Sequence, residues 1–129
     1  MNLDHRAAAD LLDRFVRART SFDGDAWTDL FSPDVEFHED PFEPPLVGSN
    51  AVRAFLLAAS AAEEQVEWTV ERHWVVAPTI LASWHASYVR RSDRARVRVA
   101  GFMTLEMTDD GRVGRLRQWW QRRDTPAVG

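Results

Sequence analysis

The chain has 129 residues, 45% of them hydrophobic, with no cysteine and a net charge of −4 from 20 acidic and 16 basic side chains. A single domain of this length buries roughly two-thirds of its unfolded surface without metal or disulfide staples, and the missing cysteine excludes disulfides, thiolate zinc sites and cysteine nucleophiles. Mild acidity is a poor prior for nucleic acid, and no apolar run approaches the ~20 residues that span a bilayer, so neither nucleic acid nor membrane is expected as a partner.

In chain order, the first element is a helix. From Asp4 to about Thr20, Ala8, Leu11, Leu12, Phe15 and Val16 recur at helical spacing, with Asp4 or Asn2 as the cap. The acids and the amphipathic period of this opening segment do not read as a signal peptide, and a cytoplasmic protein is expected. Phe22-Asp23-Gly24-Asp25 breaks the helix, and Trp27, Leu30 and Phe31 mark a short second one that Pro33 ends. Val35 to His38 alternates as a short strand. Asp40 to Gly48, with three prolines, is an irregular loop. Ser49 is read as the N-cap of a third helix that ends near Ala62.

The second half reads as a β-meander: Val66–Ala77, Ile80–Val89, Arg96–Met107 and Arg112–Arg123. Asp109-Asp110-Gly111 is a strong hairpin signal, and Thr125 to Gly129 is expected to fray. Helices followed by strands predict an α+β fold, residues 1–129 forming one domain. A long curved antiparallel sheet with three helices on one face makes a half-open cone, whose natural cavity lies between the concave sheet and the helices.

The segment LFSPDVEFHEDPFEPPLVGSNAVRAFL, from Leu30, resembles the signature region of the nuclear transport factor 2-like superfamily, and within it the ketosteroid isomerase and SnoaL-like polyketide cyclase families. The ending DDGRVGRLRQWWQRRD resembles the last hairpin of SnoaL-like proteins. The resemblance implies a cone-shaped fold over nearly the whole chain. It also implies cofactor-free chemistry on a hydrophobic small molecule, and a homodimer formed through the convex sheet face. In ketosteroid isomerases a loop-edge Asp followed by Pro is the general base, and Asp40-Pro41 matches it. The Tyr and protonated Asp that complete the isomerase oxyanion hole correspond to Phe15 and Met103, which supply no donor. The Arg and two Asp residues of limonene epoxide hydrolases fall at or near Trp84, Ala86 and Gln118, as does the cyclase acid at Gln118.

These positions give the expected site. Asp40 is the candidate base, since a carboxylate beside an apolar cavity has its pKa raised by desolvation; the other reading is that Asp before Pro opens a turn. His38, two residues earlier and on the same strand face, is a second acid/base or a strand-end histidine bonded to backbone. A metal on His38 and Asp40 would lack a third ligand, so no metal is expected. On the third strand of the chain, Ile80, Ala82, Trp84, Ala86 and Tyr88 should face the cavity and His85 should face out, unless a one-residue bulge reverses them. Gln118 and Trp120 should face in with Leu116. Phe15, Trp84, Tyr88, Met103, Gln118 and Trp120 are therefore the expected substrate contacts. Arg94, Arg96 and Arg98 share one strand face, read as pairing with acids such as Glu67, Glu71 and Glu106 rather than as an anion site. The function expected is proton transfer next to a carbonyl on a hydrophobic substrate, flat or polycyclic, stacked on Trp84, Tyr88 and Trp120: isomerisation, aldol-type cyclisation or dehydration. A non-catalytic binder of an apolar ligand and a dimeric interaction domain are the alternatives.

Overall fold

A computed structural model describes residues 2–128. Helices α1 (His5–Ser21) and α2 (Gly24–Asp29) lead into strand β1 (Phe31–His38), followed by a two-residue strand β2 (Leu46–Val47) and helix α3 (Ser49–Ala62). Strands β3 (Glu63–Val76), β4 (Thr79–Arg90), β5 (Arg96–Met107) and β6 (Val113–Thr125) complete the chain. The α+β cone expected from the element order is the fold observed. Six strands form one curved, unclosed sheet in the order β2-β1-β6-β5-β4-β3. All neighbours are antiparallel except β1 and β6, which run parallel.

Local chemistry explains the element boundaries. The Asp4 carboxylate accepts from the Ala7 N–H at 2.8 Å and caps α1. The Asp23 carboxylate does the same for α2 through Ala26 N–H at 3.1 Å. Ser49 is the first helical residue of α3 rather than its cap. The cap position belongs to Gly48, whose φ of +91° is open to glycine and costly for other residues. Pro33 does not end α2, which stops at Asp29; it lies inside β1, where the ladder with β6 is interrupted between Phe31 and Glu36. A residue without an N–H fits there because no ladder bond is lost. The proline-rich loop still yields β2, paired with Glu36 and Phe37. β3 begins at Glu63, directly after α3, and absorbs a bulge around Gln65, whose φ is +54°. β6 extends to Thr125, the residues after it are exposed, and Gly129 lies outside the described residues.

The core fills the space between the helices and the concave sheet face. Phe15, Trp27, Phe31, Phe37, Leu56, Ile80, Met103, Leu105 and Leu116 are fully buried there. Their aromatic members meet edge-on or tilted, as Trp27 does with Phe15 and Phe31 at 5.0 Å between ring centres. Among the described residues no helix is long and apolar enough to cross a membrane.

Candidate active site

Toward the ends of β1 and β6 the core opens into a cavity of about 140 Å³. Its walls come from every layer: Phe15 and Arg19 of α1, Trp27 of α2, Phe37 of β1, Phe55 of α3, Trp68 of β3, Trp84 and Tyr88 of β4, Gln118 and Trp120 of β6. Trp84, Tyr88, Gln118 and Trp120 thus lie where the strand periodicity places them, and Phe15 of α1 joins them in the lining. Met103 does not; it is buried in the core beside Gln118 and is not part of the lining. Its side chain is inward but fully buried in the core cluster with Leu105 and Leu116, which follow it along the sheet on the side away from the cavity.

The two expected acid/base residues are elsewhere. In the second half of β1, from Val35 to His38, the buried side chains are Val35 and Phe37, so Glu36 and His38 point to the opposite face. His38 stands 3.6 Å from Glu36, whose carboxyl is held below the ordinary range by hydrogen bonding to Arg115. Asp40 continues that outward parity: it lines a groove on the outer sheet surface with Pro41, Phe42, Phe102 and Trp119. Its carboxylate accepts from the Phe42 N–H at 2.9 Å, the turn-forming role weighed for an Asp before Pro. His38 and Asp40 do share a face, but it is the face turned away from the cavity.

The carboxylates that line the cavity are Glu39 and Glu63. Glu39 follows Val35 and Phe37 in the inward register, and its backbone carbonyl accepts from the Trp120 indole N–H at 2.8 Å, which fixes the strand end over the cavity. Glu39 is an exposed residue at the rim, yet partial desolvation of its carboxyl raises its pKa above the ordinary 4.5, against the opposing pull of Arg19. Glu63, the first residue of β3, receives two hydrogen bonds from Arg19 Nη2 at 3.0 and 3.2 Å. Both side chains are nearly buried, 11% exposed for Arg19 and 12% for Glu63. The Arg19 guanidinium also lies about 6 Å from the ring centres of Phe22 and Phe55. Its Nη1 has no partner, and neither does the Trp84 indole Nε1; both atoms are buried. The Tyr88 phenol is pushed above its ordinary pKa by burial and by Glu63, so it stays a neutral donor.

Trp84 is held by a missing side chain. It pairs across the ladder with Gly101 and stacks on Trp68, ring centres 4.0 Å apart. A methyl group at Gly101 would sit 2.5 Å from the Trp84 ring and 2.8 Å from the Trp119 carbonyl oxygen. Gly101→Ala is therefore expected to cost about 1–3 kcal/mol by overpacking and to change the tryptophan near-ultraviolet circular dichroism. An unchanged melting temperature would contradict the placement.

His85 is outside, 55% exposed and 3.5 Å from Glu71. Of the arginine row, Arg94 pairs with Glu64, while Glu106 meets Arg115 instead. Among the described residues no three His, Cys, Asp or Glu side chains gather as metal ligands would.

Residues 12–116 match the family model described as SnoaL-like domain. The chain belongs to that family. No curated protein matches the sequence. Solved structures share the fold at low identity. The Δ5-3-ketosteroid isomerase of a Mycobacterium species is 18% identical, with a TM-score of 0.78 over 92% of this chain and 98% of that one. SalBIII, an epoxide hydrolase/cyclase-like enzyme in pyran ring formation of the polyether salinomycin, is 16% identical, with a TM-score of 0.81 over 92% and 93%. A computationally designed 17-OHP binder is 20% identical, with a TM-score of 0.79 over 92% and 98%. The resemblance read from the sequence is thus the family found.

Arg19, Glu39 and Glu63 escaped the sequence reading, and two of them carried a signal. Arg19 lies four residues after Phe15, so it interrupts the apolar stripe of α1 with a charge. Glu39 is two residues after Phe37 in an alternating strand. Glu63 carried none, because it lies at the junction of α3 and β3 where neither period applies.

Proposed function

We propose that this SnoaL-like domain is an enzyme of the ketosteroid isomerase-like type, transferring a proton next to a carbonyl on a hydrophobic small molecule. The observation that carries this reading is a pair of carboxylates in one aromatic cavity with opposed environments. Glu39 is an exposed residue at the cavity rim whose carboxyl lines the cavity, and partial desolvation raises its pKa, the direction that suits a group that both accepts and returns a proton. Glu63 is pinned by Arg19 and serves to hold that guanidinium in the cavity. In the step proposed, the Glu39 carboxylate takes the proton from the carbon beside the carbonyl. The C–H electrons become the C=C bond of an enolate and the carbonyl π pair moves to oxygen. Glu39 then returns the proton to another carbon, giving isomerisation; or the enolate carbon attacks a second carbonyl and Glu39 protonates the alkoxide formed, giving aldol-type cyclisation; or the enolate re-forms its C=O, its C=C pair expels a β-hydroxyl as the new C=C forms, and the protonated Glu39 delivers its proton to the departing oxygen, which leaves as water, giving dehydration. The neutral Tyr88 phenol and the Gln118 amide are polar groups available to the ligand. No step in this scheme calls for a cofactor or a metal.

The test is hydrogen–deuterium exchange next to the carbonyl, followed by NMR on a panel of cyclic ketones and enones in D2O. Exchange catalysed by the wild type and lost in Glu39→Gln supports the proposal; exchange retained by that variant overturns it.

A second reading is a binding module without chemistry. It is supported by Phe15, which presents no donor to the cavity, and by the designed 17-OHP binder, a protein of this fold that binds a ligand. It requires that Glu39→Gln leave ligand affinity nearly unchanged and that no exchange occur. A homodimer through the convex sheet face is also proposed, because Trp74 and Trp119 are about 40% exposed there and Trp74 lies 6.1 Å from Phe102 between ring centres. Sedimentation equilibrium at micromolar concentration should give twice the mass of 14.8 kDa; a monomer would rule it out.

A further inference from the structure

The cavity has a definite size and a definite polar deficit, and together they name a ligand class. This deepens the proposed function and rests on its reading of the cavity as the ligand site. A volume of about 140 Å³ is close to the ~150 Å³ of an engineered apolar cavity that takes up benzene. One ring fills such a space, and most of a four-ring ligand would lie outside it, in the open mouth of the cavity. The walls are flat: Trp84 stacks on Trp68, and Phe15 stands edge-on to Trp68 at 5.6 Å. They suit a planar ring over a puckered one.

The polar deficit is one-sided. Among the described residues the cavity-lining side chains leave two buried polar atoms without a partner, Arg19 Nη1 and Trp84 Nε1, and both are N–H donors. Arg19 is 9% exposed and Trp84 4%. A buried donor without an acceptor costs about 1–3 kcal/mol, so an occupant that supplies acceptor lone pairs relieves a penalty the empty site carries. An alcohol or amine that spends its own N–H or O–H in the cavity meets donors instead. Arg19 has its charge compensated by Glu63 and Arg122, at the cavity wall, by Asp124, so nothing in the site demands a full negative charge on the ligand.

We infer that the cavity takes a single planar ring bearing a conjugated carbonyl, its oxygen accepting from Arg19 Nη1 and Trp84 Nε1, and that it prefers one ring to a polycyclic ketone, whose remaining rings it would not enclose. Arg19 and Trp84 are then the residues that select the carbonyl, while Glu39 acts on the neighbouring carbon.

The test is binding, which is independent of turnover. Acetophenone and α-methylstyrene have nearly the same shape, but only the first carries an acceptor oxygen. Ligand-observed NMR titration of the full chain should find acetophenone bound roughly tenfold more tightly, and a four-ring steroid enone bound more weakly than either. Trp84→Phe keeps an aromatic ring against Trp68 but removes the N–H with part of the indole, so it should erase several-fold of the acetophenone preference; the readout is the ratio of the two affinities, because the added space is common to both ligands. Arg19→Lys, which keeps a cation for Glu63 but loses the guanidinium fork, should do the same. Equal affinity for the two isosteres in the wild type, or tighter binding of the steroid, would overturn the inference even if exchange catalysis is found. A carbonyl preference without any exchange would leave the inference standing and remove the enzymatic reading alone.

Discussion

Arg19→Met is expected to lower the unfolding free energy by about 3–5 kcal/mol, the usual cost of removing one partner from a buried ion pair. The size follows from what is left behind. Glu63 is 12% exposed in its side chain and takes both hydrogen bonds from Arg19 Nη2. Without the guanidinium, a carboxylate faces an aromatic cavity with no replacement donor of equal charge. Against a total stability of about 5–15 kcal/mol for a domain of this kind, the variant should be close to unfolding at 37 °C. Urea titration checks this: the midpoint should fall while the slope is unchanged. The double variant Arg19→Met/Glu63→Gln should regain most of the loss, because a neutral amide tolerates the cavity where a lone carboxylate does not. A loss below ~1 kcal/mol for the single variant would mean that the pair is solvated like an ordinary surface ion pair.

The same pair shows where sequence reading stops. The cone could be read from the order of elements, because helical spacing in α1 and α3 and alternation in β4 to β6 are properties of single segments. The inward row Ile80, Ala82, Trp84 and Ala86 is buried as alternation requires, and His85 is outside. Contact across segments has no such local sign. Arg19 and Glu63 are 44 residues apart, and nothing in either neighbourhood announces the other. Asp40 illustrates a different limit. The motif pointed to its position in the chain, but one residue decides which side of a strand a carboxylate occupies. With Val35 and Phe37 inward, the parity of β1 assigns the cavity to Glu39 and the outer groove to Asp40. The alternation was present in the sequence, and it outweighs the motif because burial of two large apolar side chains fixes the register. Met103 shows a third limit: facing inward on β5 is a matter of parity, but lining a cavity rather than underlying it depends on depth, which periodicity does not encode.

That one-residue shift makes the adjacent carboxylates Glu39 and Asp40 a controlled comparison. Glu39→Gln is expected to reduce exchange or isomerisation by ~10²–10⁴-fold, the range for removing a general acid–base group. Asp40→Asn should stay within a few-fold of wild type, because its carboxylate only accepts from the Phe42 N–H and an amide oxygen can do the same. The pH dependence separates the two further. Desolvation raises the Glu39 pKa in the folded chain above its ordinary 4.5, so between those values the native state binds more protons than the unfolded state. Stability from this group is present below pH 4.5 and is lost as pH rises through the folded value. Removing the ionisable group removes that loss, so Glu39→Gln should match wild type in acid and be modestly more stable at neutral pH; partial exposure keeps the gain small. The kcat/KM profile of the wild type should rise with pH along a limb displaced above the ordinary glutamate range, and Asp40→Asn should retain that limb. Denaturation midpoints measured from pH 4 to 8, beside exchange rates over the same range, provide both readouts. If Asp40→Asn abolishes exchange while Glu39→Gln retains it, the outward carboxylate must reach the substrate by rearrangement of the 40–45 loop, and the cavity assignment falls with it.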